Sequence, residues 1–368
     1  MSRFRSLAAL AGLLLVLPAC DSSEPDGPLA EAQANVGQWT FIDVEGSQCR
    51  DGSPTGIGLR LQEGADDLVI YLEGGGACFN ALTCATNPRS FSEADFNTTV
   101  ARVGDAGLFS TGADNPVGDY NMVYVPYCTG DVHAGSSPNN SFLQAAGVEG
   151  TQQFVGHGNV KRALALLADG LDTPDKVLLA GSSAGGLGVL FNFGATARTF
   201  SDSDLFMVDD SGPVVYADNV LSPPFVTQVV QLYNASATLS EAPQLFGPDG
   251  FQGIYTYYAD TYPDATFGFS SYLGDDVFQG FFGFGQAPGD EITDEEFAAS
   301  LRDLRGRLSA NWATYYAEGD AHTFLLVPSR YNGTSAGVAY SDWLGDILDG
   351  RPTAVDPGAA ARVPLAAR

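Results

Sequence analysis

The stretch Lys176-Val177-Leu178-Leu179-Ala180-Gly181-Ser182-Ser183-Ala184-Gly185-Gly186 decides which fold is expected for this chain. Its first half is a short apolar run, typical of a buried strand, and a helix is expected to begin near Ala184. Between the two stands a G-x-S-x-G turn, in which the reversal forces a strained backbone that a neighbouring Cβ would obstruct. This context favours a nucleophilic Ser183 over a glycine-rich loop without function.

The rest of the chain alternates short β-branched runs with stretches of helical spacing. Residues 68–71, 122–125, 206–208 and 267–270 have the composition of strands, and residues 160–167 have the spacing of a helix. Near-continuous apolar strands alternating with helices favour a mostly parallel sheet that is covered by helices on both faces. The predicted fold class is therefore α/β.

A serine hydroxyl is a weak nucleophile at neutral pH and needs a general base. The chain has three histidines. In α/β-hydrolases the chain order is serine, acid, histidine, and only His322 follows Ser183. His322 is therefore the predicted base. For His133 and His157 a packing or capping role is predicted, with contact to substrate as the alternative.

The acid that orients the base is expected on a loop after a strand that lies between the serine and the histidine. Asp276 follows an apolar run that ends at residue 273, and Asp275 is its immediate rival. Asp209 and Asp210 follow the next strand after the nucleophile and are further candidates. Spacing alone does not choose among these four aspartates.

Ester hydrolysis also needs hydrogen-bond donors for the oxyanion of the tetrahedral intermediate. One donor is expected to be the backbone N–H of Ala184, directly after the nucleophile. Others are expected from the glycine-rich turn at residues 74–76, because glycines let a backbone approach the reacting carbonyl closely. A phosphate-binding loop would need a following Lys-Ser/Thr pair, which is absent here.

Charge and cysteine usage narrow the class of protein. The chain has 17 Lys plus Arg against 44 Asp plus Glu, a formal net charge of −27. This balance excludes nucleic acid as a partner, because a phosphate-binding surface needs a positive field. An even set of cysteines, Cys49, Cys78, Cys84 and Cys128, favours two disulfides over a zinc site, with three pairings open. Neither a metal nor a cofactor is expected.

The N-terminus has the features of a bacterial lipoprotein signal peptide. Arg3 and Arg5 precede an apolar run over residues 7–17, and Leu17-Pro18-Ala19-Cys20 resembles a lipobox. Cleavage would leave an acylated Cys20 that anchors the chain to a membrane of the cell envelope; a plain secretory signal is the alternative.

The remaining boundaries follow from composition. Residues 1–19 are the predicted signal peptide, and residues 20–36 are predicted to form a flexible tether because they are polar and acidic. Residues 37–350 are expected to form a single catalytic domain, and residues 351–368 a disordered tail. A monomer is assumed.

Five blocks of sequence occur in the order in which the pectin acetylesterase family carries them. They are Cys49-Arg50-Asp51-Gly52-Ser53-Pro54, Tyr71-Leu72-Glu73-Gly74-Gly75-Gly76-Ala77-Cys78-Phe79, Pro126-Tyr127-Cys128-Thr129-Gly130-Asp131, the turn around Ser183, and Asp210-Ser211-Gly212. The chain thus resembles this family of α/β-hydrolase-like serine carboxylesterases, which also contains the Notum branch.

The resemblance implies Ser183 as nucleophile and His322 as base. It implies Asp276 as the acid, because Asp-x-Phe-Gln at residues 276–279 looks like the family's Asp-x-aromatic-Gln segment. The implied oxyanion donors are the backbone amides of Gly75, Gly76 and Ala184. The implied disulfides are Cys78–Cys84 and Cys49–Cys128. One departure stands out: the tryptophan usual in the family near Gly76 or Ala77 is absent here.

The function that the resemblance implies is deacetylation of an acetylated polysaccharide through an acyl-enzyme intermediate. A Notum-like or lipase-like esterase that acts on longer acyl esters is one alternative. A catalytically silent, surface-binding lipoprotein that kept the fold is another.

Overall fold

The computed structural model describes residues 27–240, 242–246, 250–284, 286–287, 290–358 and 363–364. The predicted signal peptide and Cys20 lie outside these residues. No helix within the described ranges is long and apolar enough to cross a membrane.

The centre of the molecule is one large sheet. The strands of the described residues are β1 (Thr40–Gln48), β2 (Pro54–Arg60), β3 (Leu68–Leu72), β4 (Asn121–Val125), β5 (Ser137–Asn140), β6 (Gln152–Phe154), β7 (Lys176–Ser182), β8 (Asp204–Asp210), β9 (Thr266–Tyr272), β10 (Trp312–Ala317), β11 (Thr334–Ser335), β12 (Val338–Ala339), β13 (Thr353–Val355) and β14 (Val363–Pro364). Ten of them form the main sheet, in the order β1-β2-β4-β3-β7-β8-β9-β10-β13-β14. The pairs from β4 to β13 are parallel, and the strands at both edges are antiparallel.

Helices cover both faces of this sheet. They are α1 (Ala30–Ala34), α2 (Ala81–Thr86), α3 (Glu93–Val103), α4 (Gly156–Gly170), α5 (Ala184–Thr199), α6 (Pro223–Tyr233), α7 (Ala235–Thr238), α8 (Ile254–Thr261), α9 (Asp276–Gly283), α10 (Asp294–Arg307), α11 (Pro328–Tyr331) and α12 (Tyr340–Leu348). Helices α4, α5, α8 and α10 contribute to the core on one face, and α3 and α12 to the core on the other. The predicted α/β-hydrolase-like class, with a mostly parallel sheet between two helical layers, is confirmed.

The central strand β7 explains why its sequence is an unbroken apolar run. Val177 and Leu179 pack in the core on one face of the sheet, and Leu178 and Ala180 pack in the core on the other. Successive side chains of a strand point to opposite faces, so a strand with helices on both sides needs apolar residues at every position.

The structure corrects both predicted ends of the domain. Within the predicted tether 20–36, α1 is helical and Leu29 and Ala32 are buried in the core. Within the predicted tail 351–368, β13 pairs with β10 and extends the main sheet. Asp356, just after that strand, is buried and accepts hydrogen bonds from the guanidinium groups of two arginines of α10. Composition missed these contacts because polar flanking sequence hides the few apolar residues that anchor each end.

Both predicted disulfides are confirmed. Cys49 pairs with Cys128 across a sequence separation of 79 residues, and Cys78 pairs with Cys84 across 6 residues. The first joins the end of β1 to the loop after β4. The second closes the loop that leads from β3 into α2.

Candidate active site

Ser183 lies in the strained turn that its motif predicts. It connects β7 to α5 with φ 59° and ψ −117°, a conformation that L-residues rarely adopt. The flanking glycines permit a close crossing: a Cβ on Gly181 would lie 2.3 Å from the carbonyl oxygen of Gly185, and a Cβ on Gly185 would lie 2.0 Å from that of Leu72. The sequence motif therefore follows from steric exclusion on both sides of the serine.

The predicted site residues follow the carboxyl ends of neighbouring parallel strands. The register pairs Leu72 of β3 with Gly181 of β7, and Ser182 of β7 with Asp210 of β8. The glycine turn after β3, Ser183 after β7 and the Asp210 block after β8 thus meet at one edge of the sheet. The loops after β9 and β10, which carry the candidate acid and base, leave from the same edge.

The glycine turn after β3 is held by its carbonyl groups. Asn87 Nδ2 donates to Gly75 O at 2.5 Å, and the Tyr127 hydroxyl donates to Gly76 O at 2.8 Å. The N–H groups of Gly75 and Gly76 donate no hydrogen bond to a described residue. Ala184 opens α5, so its N–H is among the helical amides that lack an intrahelical acceptor. All three predicted donors therefore remain available to a ligand.

The partner of His322 is Asp275, and the prediction of Asp276 is wrong. His322 Nδ1 lies 2.8 Å from Asp275 Oδ2, and the side chain of Asp275 is fully buried. The other oxygen of Asp275 accepts the backbone N–H groups of Val277 and Phe278, so the same carboxylate caps α9. Asp276 is the first residue of that helix and is exposed to solvent.

The second imidazole nitrogen of His322 is the one left for chemistry. Nε2 is buried and has no hydrogen-bond partner among the described residues. It therefore makes no hydrogen bond to Ser183 Oγ in this conformation, as is frequent before a substrate binds. Arg330 fixes the loop that carries His322, because its Nη1 donates to the carbonyl oxygens of both His322 and Thr323.

The other two histidines are buried and make hydrogen bonds within the protein. His133 Nε2 lies 2.8 Å from the carbonyl oxygen of Glu73, directly before the glycine turn, and His157 Nδ1 lies 2.8 Å from Asn192 Oδ1. Burial lowers the pKa of His133 to about 4, so its imidazole is neutral at physiological pH. These contacts support the turn and α5 from behind.

Beside Ser183 lies an apolar cavity that the motifs did not predict. The cavity volume is about 120 Å³. Three helices contribute to its walls, with Leu187 and Phe191 of α5, Val226 and Val229 of α6, and Phe278 and Phe281 of α9. The ring of Phe281 lies 3.2 Å from the position of a Cβ on Gly76, so phenylalanine closes the wall where the expected tryptophan is missing.

Periodicity held the only available signal for this cavity. Phe225, Val226, Val229 and Val230 form one apolar side of α6, and a stripe at that spacing indicates an ordinary core face as readily as a ligand wall. Only the packing of α6 opposite α5 and α9 leaves a space between them.

Within the described ranges, no group of three or more His, Cys, Asp or Glu side chains could hold an ion.

Comparison with known proteins gives one family. The profile described as Pectinacetylesterase matches residues 30–245. The palmitoleoyl-protein carboxylesterase notum1a of Danio rerio is 34% identical over 168 residues, which cover 44% of this chain and 32% of that protein. NOTUM of Mus musculus is 37% identical over 160 residues, covering 42% and 30%. The chain thus matches about a third of the length of these relatives.

A solved structure extends the likeness in fold. The Wnt deacylase Notum from Drosophila superposes with a TM-score of 0.65 at 19% identity, covering 88% of this chain and 97% of that one. At this identity the superposition shows a common fold for nearly the whole chain.

Proposed function

Because the chain belongs to the pectinacetylesterase family, we propose that it is a serine carboxylesterase that works through an acyl-enzyme formed on Ser183. One observation carries this proposal: Ser183 sits on a strained strand-to-helix turn and lines the apolar cavity. A hydroxyl held in this way, next to unpaired backbone amides, is suited to attack an ester carbonyl.

The reaction proceeds in two halves. Ser183 Oγ attacks the carbonyl carbon while His322 Nε2 takes the hydroxyl proton, and the amides of Gly75, Gly76 and Ala184 stabilise the oxyanion. Collapse of the intermediate breaks the ester bond, and His322 returns the proton to the departing alcohol. Water then attacks the acyl-enzyme with the same base, which releases the carboxylic acid and restores the serine. Asp275 keeps Nδ1–H paired throughout and stabilises the imidazolium.

The cavity favours an acyl chain longer than acetyl. Of the side chains that line it, the polar ones are Ser183, Gln252 and Tyr233, and the Tyr233 hydroxyl is already bonded to Cys78 O. A cavity volume of about 120 Å³ is several times the roughly 30 Å³ that one water molecule occupies in the liquid. An acetyl methyl would leave most of this apolar surface without contacts, whereas a medium-length chain would bury it at about 25 cal/mol per Å².

Removal of acetyl groups from a polysaccharide is the second candidate, because the matched family is described as Pectinacetylesterase. A series of p-nitrophenyl esters separates the two. If the cavity holds the acyl chain, kcat/KM rises from acetate through butyrate to octanoate; a maximum at acetate favours the second candidate.

Two substitutions on α6 test whether the cavity causes the dependence of kcat/KM on acyl-chain length. Val229→Trp adds bulk inside the cavity and is expected to lower kcat/KM for octanoate far more than for acetate. Gln228→Trp, on the exposed side of the same helix, is the control and should leave the series unchanged. Equal profiles for both variants would contradict the assignment.

The nucleophile is tested by Ser183→Ala. We expect at least a ~10³-fold fall in kcat, because the covalent route is lost while the fold is kept. A fluorophosphonate should label wild-type Ser183, identified by peptide mass, and should not label the variant. Full esterase activity in the variant would exclude Ser183 as the nucleophile, and no labelling of the wild type would favour a catalytically silent protein.

The site of action is proposed to be outside the cytoplasm, at the cell envelope. The two disulfides support this, since they persist in oxidising compartments. The mass of the N-terminal peptide tests the anchor: an acylated Cys20 agrees with it, and an unmodified terminus contradicts it.

A further inference from the structure

The block Asp210-Ser211-Gly212 takes no part in the mechanism above, yet it lies between the loops that carry the proposed nucleophile and the proposed base. Asp210 ends β8 and is completely buried. It makes no ion pair with an Arg, Lys or His side chain among the described residues. A buried carboxylate without a cationic partner is costly unless hydrogen bonds satisfy it. Its hydrogen bonds therefore show what the fold uses it for.

Those bonds come from separate segments of the chain. The hydroxyl of Ser182 lies 2.7 Å from Asp210 Oδ2, and the hydroxyl of Ser270 on β9 lies 3.1 Å from Oδ1. The backbone N–H groups of Phe324 and Leu325 reach Oδ2 at 2.9 and 3.0 Å. Burial raises the pKa of Asp210, and the two amides, which can only donate, act in the opposite direction and favour the ionised carboxylate.

Two of these segments carry the proposed catalytic groups. Ser182 directly precedes the nucleophile, and Phe324 is two residues beyond the proposed base. The backbone repeats the connection: Ser183 N donates to Asp210 O at 2.7 Å, and Thr323 N donates to the hydroxyl of Ser211 at 3.2 Å. No hydrogen bond joins Ser183 to His322 directly among the described residues. Asp210 and Ser211 thus bridge the two loops.

The neighbouring aspartate provides a natural contrast. Asp209 is equally buried on the same strand, but its carboxyl group makes no hydrogen bond to the histidine loop among the described residues. Its side chain points to the other face of β8, towards Gly186 and Gly212. Of these two adjacent buried carboxyl groups, Asp210 joins the serine turn to the histidine loop and Asp209 does not.

We propose that Asp210 is a positioning residue that sets His322 in register with Ser183 by binding the serine turn and the histidine loop through one carboxylate. The inference rests on the proposed esterase function. It assigns Asp210 no contact with the substrate and no bond to the imidazole, so it differs from the role of Asp275. Loss of the bridge would shift the base relative to the nucleophile, and a misplacement of about 1 Å can cost about 10²-fold in rate.

The test compares Asp210→Asn with Asp209→Asn, both close in shape to the wild type. The amide nitrogen introduced at position 210 is itself a donor, so it cannot accept a hydrogen bond from the N–H groups of Phe324 and Leu325 or from any other donor. Each variant is titrated with a fluorophosphonate, so that kcat for p-nitrophenyl octanoate is expressed per reactive serine. This removes the contribution of unfolded protein, which a purely structural role would change.

We expect kcat per titrated site to fall about 10²-fold in Asp210→Asn with KM nearly unchanged, and Asp209→Asn to stay within about threefold of wild type. Equal kcat in both variants and wild type, or an equal fall in both variants, would overturn the proposal. A wild type that does not react at Ser183 would overturn the esterase function and this inference together, and it is distinguished by that first measurement.

A second pair serves if Asp210→Asn does not fold. Ser182→Ala removes one donor of the bridge. Ser271→Ala removes a buried hydroxyl on β9 whose one hydrogen bond among the described residues is to the carbonyl oxygen of Tyr272. We expect about a tenfold lower kcat per site for Ser182→Ala and no change for Ser271→Ala. An unchanged kcat in Ser182→Ala would contradict the proposal.

Discussion

At the scale of single residues, there is a simple physical reason why the partner of His322 is Asp275 and not the predicted Asp276. The residue that precedes a helix turns its side chain back over the first turn to accept free amides, whereas the first helical residue points away. Asp275 holds the capping position, so one oxygen binds α9 and the other remains for His322. The resemblance to the family placed the acid one residue too late, because a sequence match does not show in which direction a side chain points.

Asp275 and Asp276 together give a prediction for the proposed triad acid. Asp275→Asn keeps the cap but loses the negative charge beside Nδ1, so we expect kcat/KM to fall by roughly 10³-fold or more. Asp276→Asn changes an exposed carboxylate and should stay within about twofold of wild type. Steady-state kinetics on one p-nitrophenyl ester measures both. A larger loss in Asp276→Asn would restore the resemblance-based assignment.

At the scale of elements, the strand-turn-helix unit is held by backbone contacts that leave no room for side chains. Gly185 lies in the first turn of α5, where its Cα faces the end of β3. The strain at Ser183 is therefore maintained by the neighbouring strand rather than by the turn alone. Sequence could predict the unit because steric exclusion of this kind leaves glycine as the only solution.

Two glycine variants test this view. In Gly185→Ala the Cβ would meet backbone atoms of Leu72 that cannot move aside, and we expect the free energy of unfolding to fall by about 3 kcal/mol. Gly306→Ala, near the end of α10, places its Cβ in open space and should raise it by about 0.5–1 kcal/mol. Denaturant unfolding of both compares them. A tolerated Gly185→Ala would mean that α5 can shift away from β3.

At the scale of the whole molecule, the site depends on long-range closure. Its groups come from loops after five strands, and the disulfide between Cys49 and Cys128 fixes the β1 and β4 ends on the side of the glycine turn. Cys78–Cys84 instead closes a short loop beside the turn. The entropy that each bond removes from the unfolded chain depends on the length of the loop it closes.

The difference in loop length predicts that the two disulfides contribute unequally to the free energy of unfolding. For separations of 79 and 6 residues, the loop-entropy relation gives roughly 4.5 and 2 kcal/mol. We therefore expect Cys49→Ala/Cys128→Ala to lower the free energy of unfolding about twice as much as Cys78→Ala/Cys84→Ala, measured by denaturant titration. Equal losses would show that local packing, not chain entropy, dominates.

The sequence by itself determined the layered α/β class and the serine turn, and it predicted the proposed base and oxyanion donors, because local sterics and the order of elements restrict these to a few residue types. The apolar strand β7 and the glycines beside Ser183 are examples. The tertiary structure alone decided which aspartate faces His322, that Asp210 joins two loops, and that α5, α6 and α9 enclose a cavity. Those features depend on side-chain direction and on distances between segments far apart in the chain, which a linear pattern does not encode.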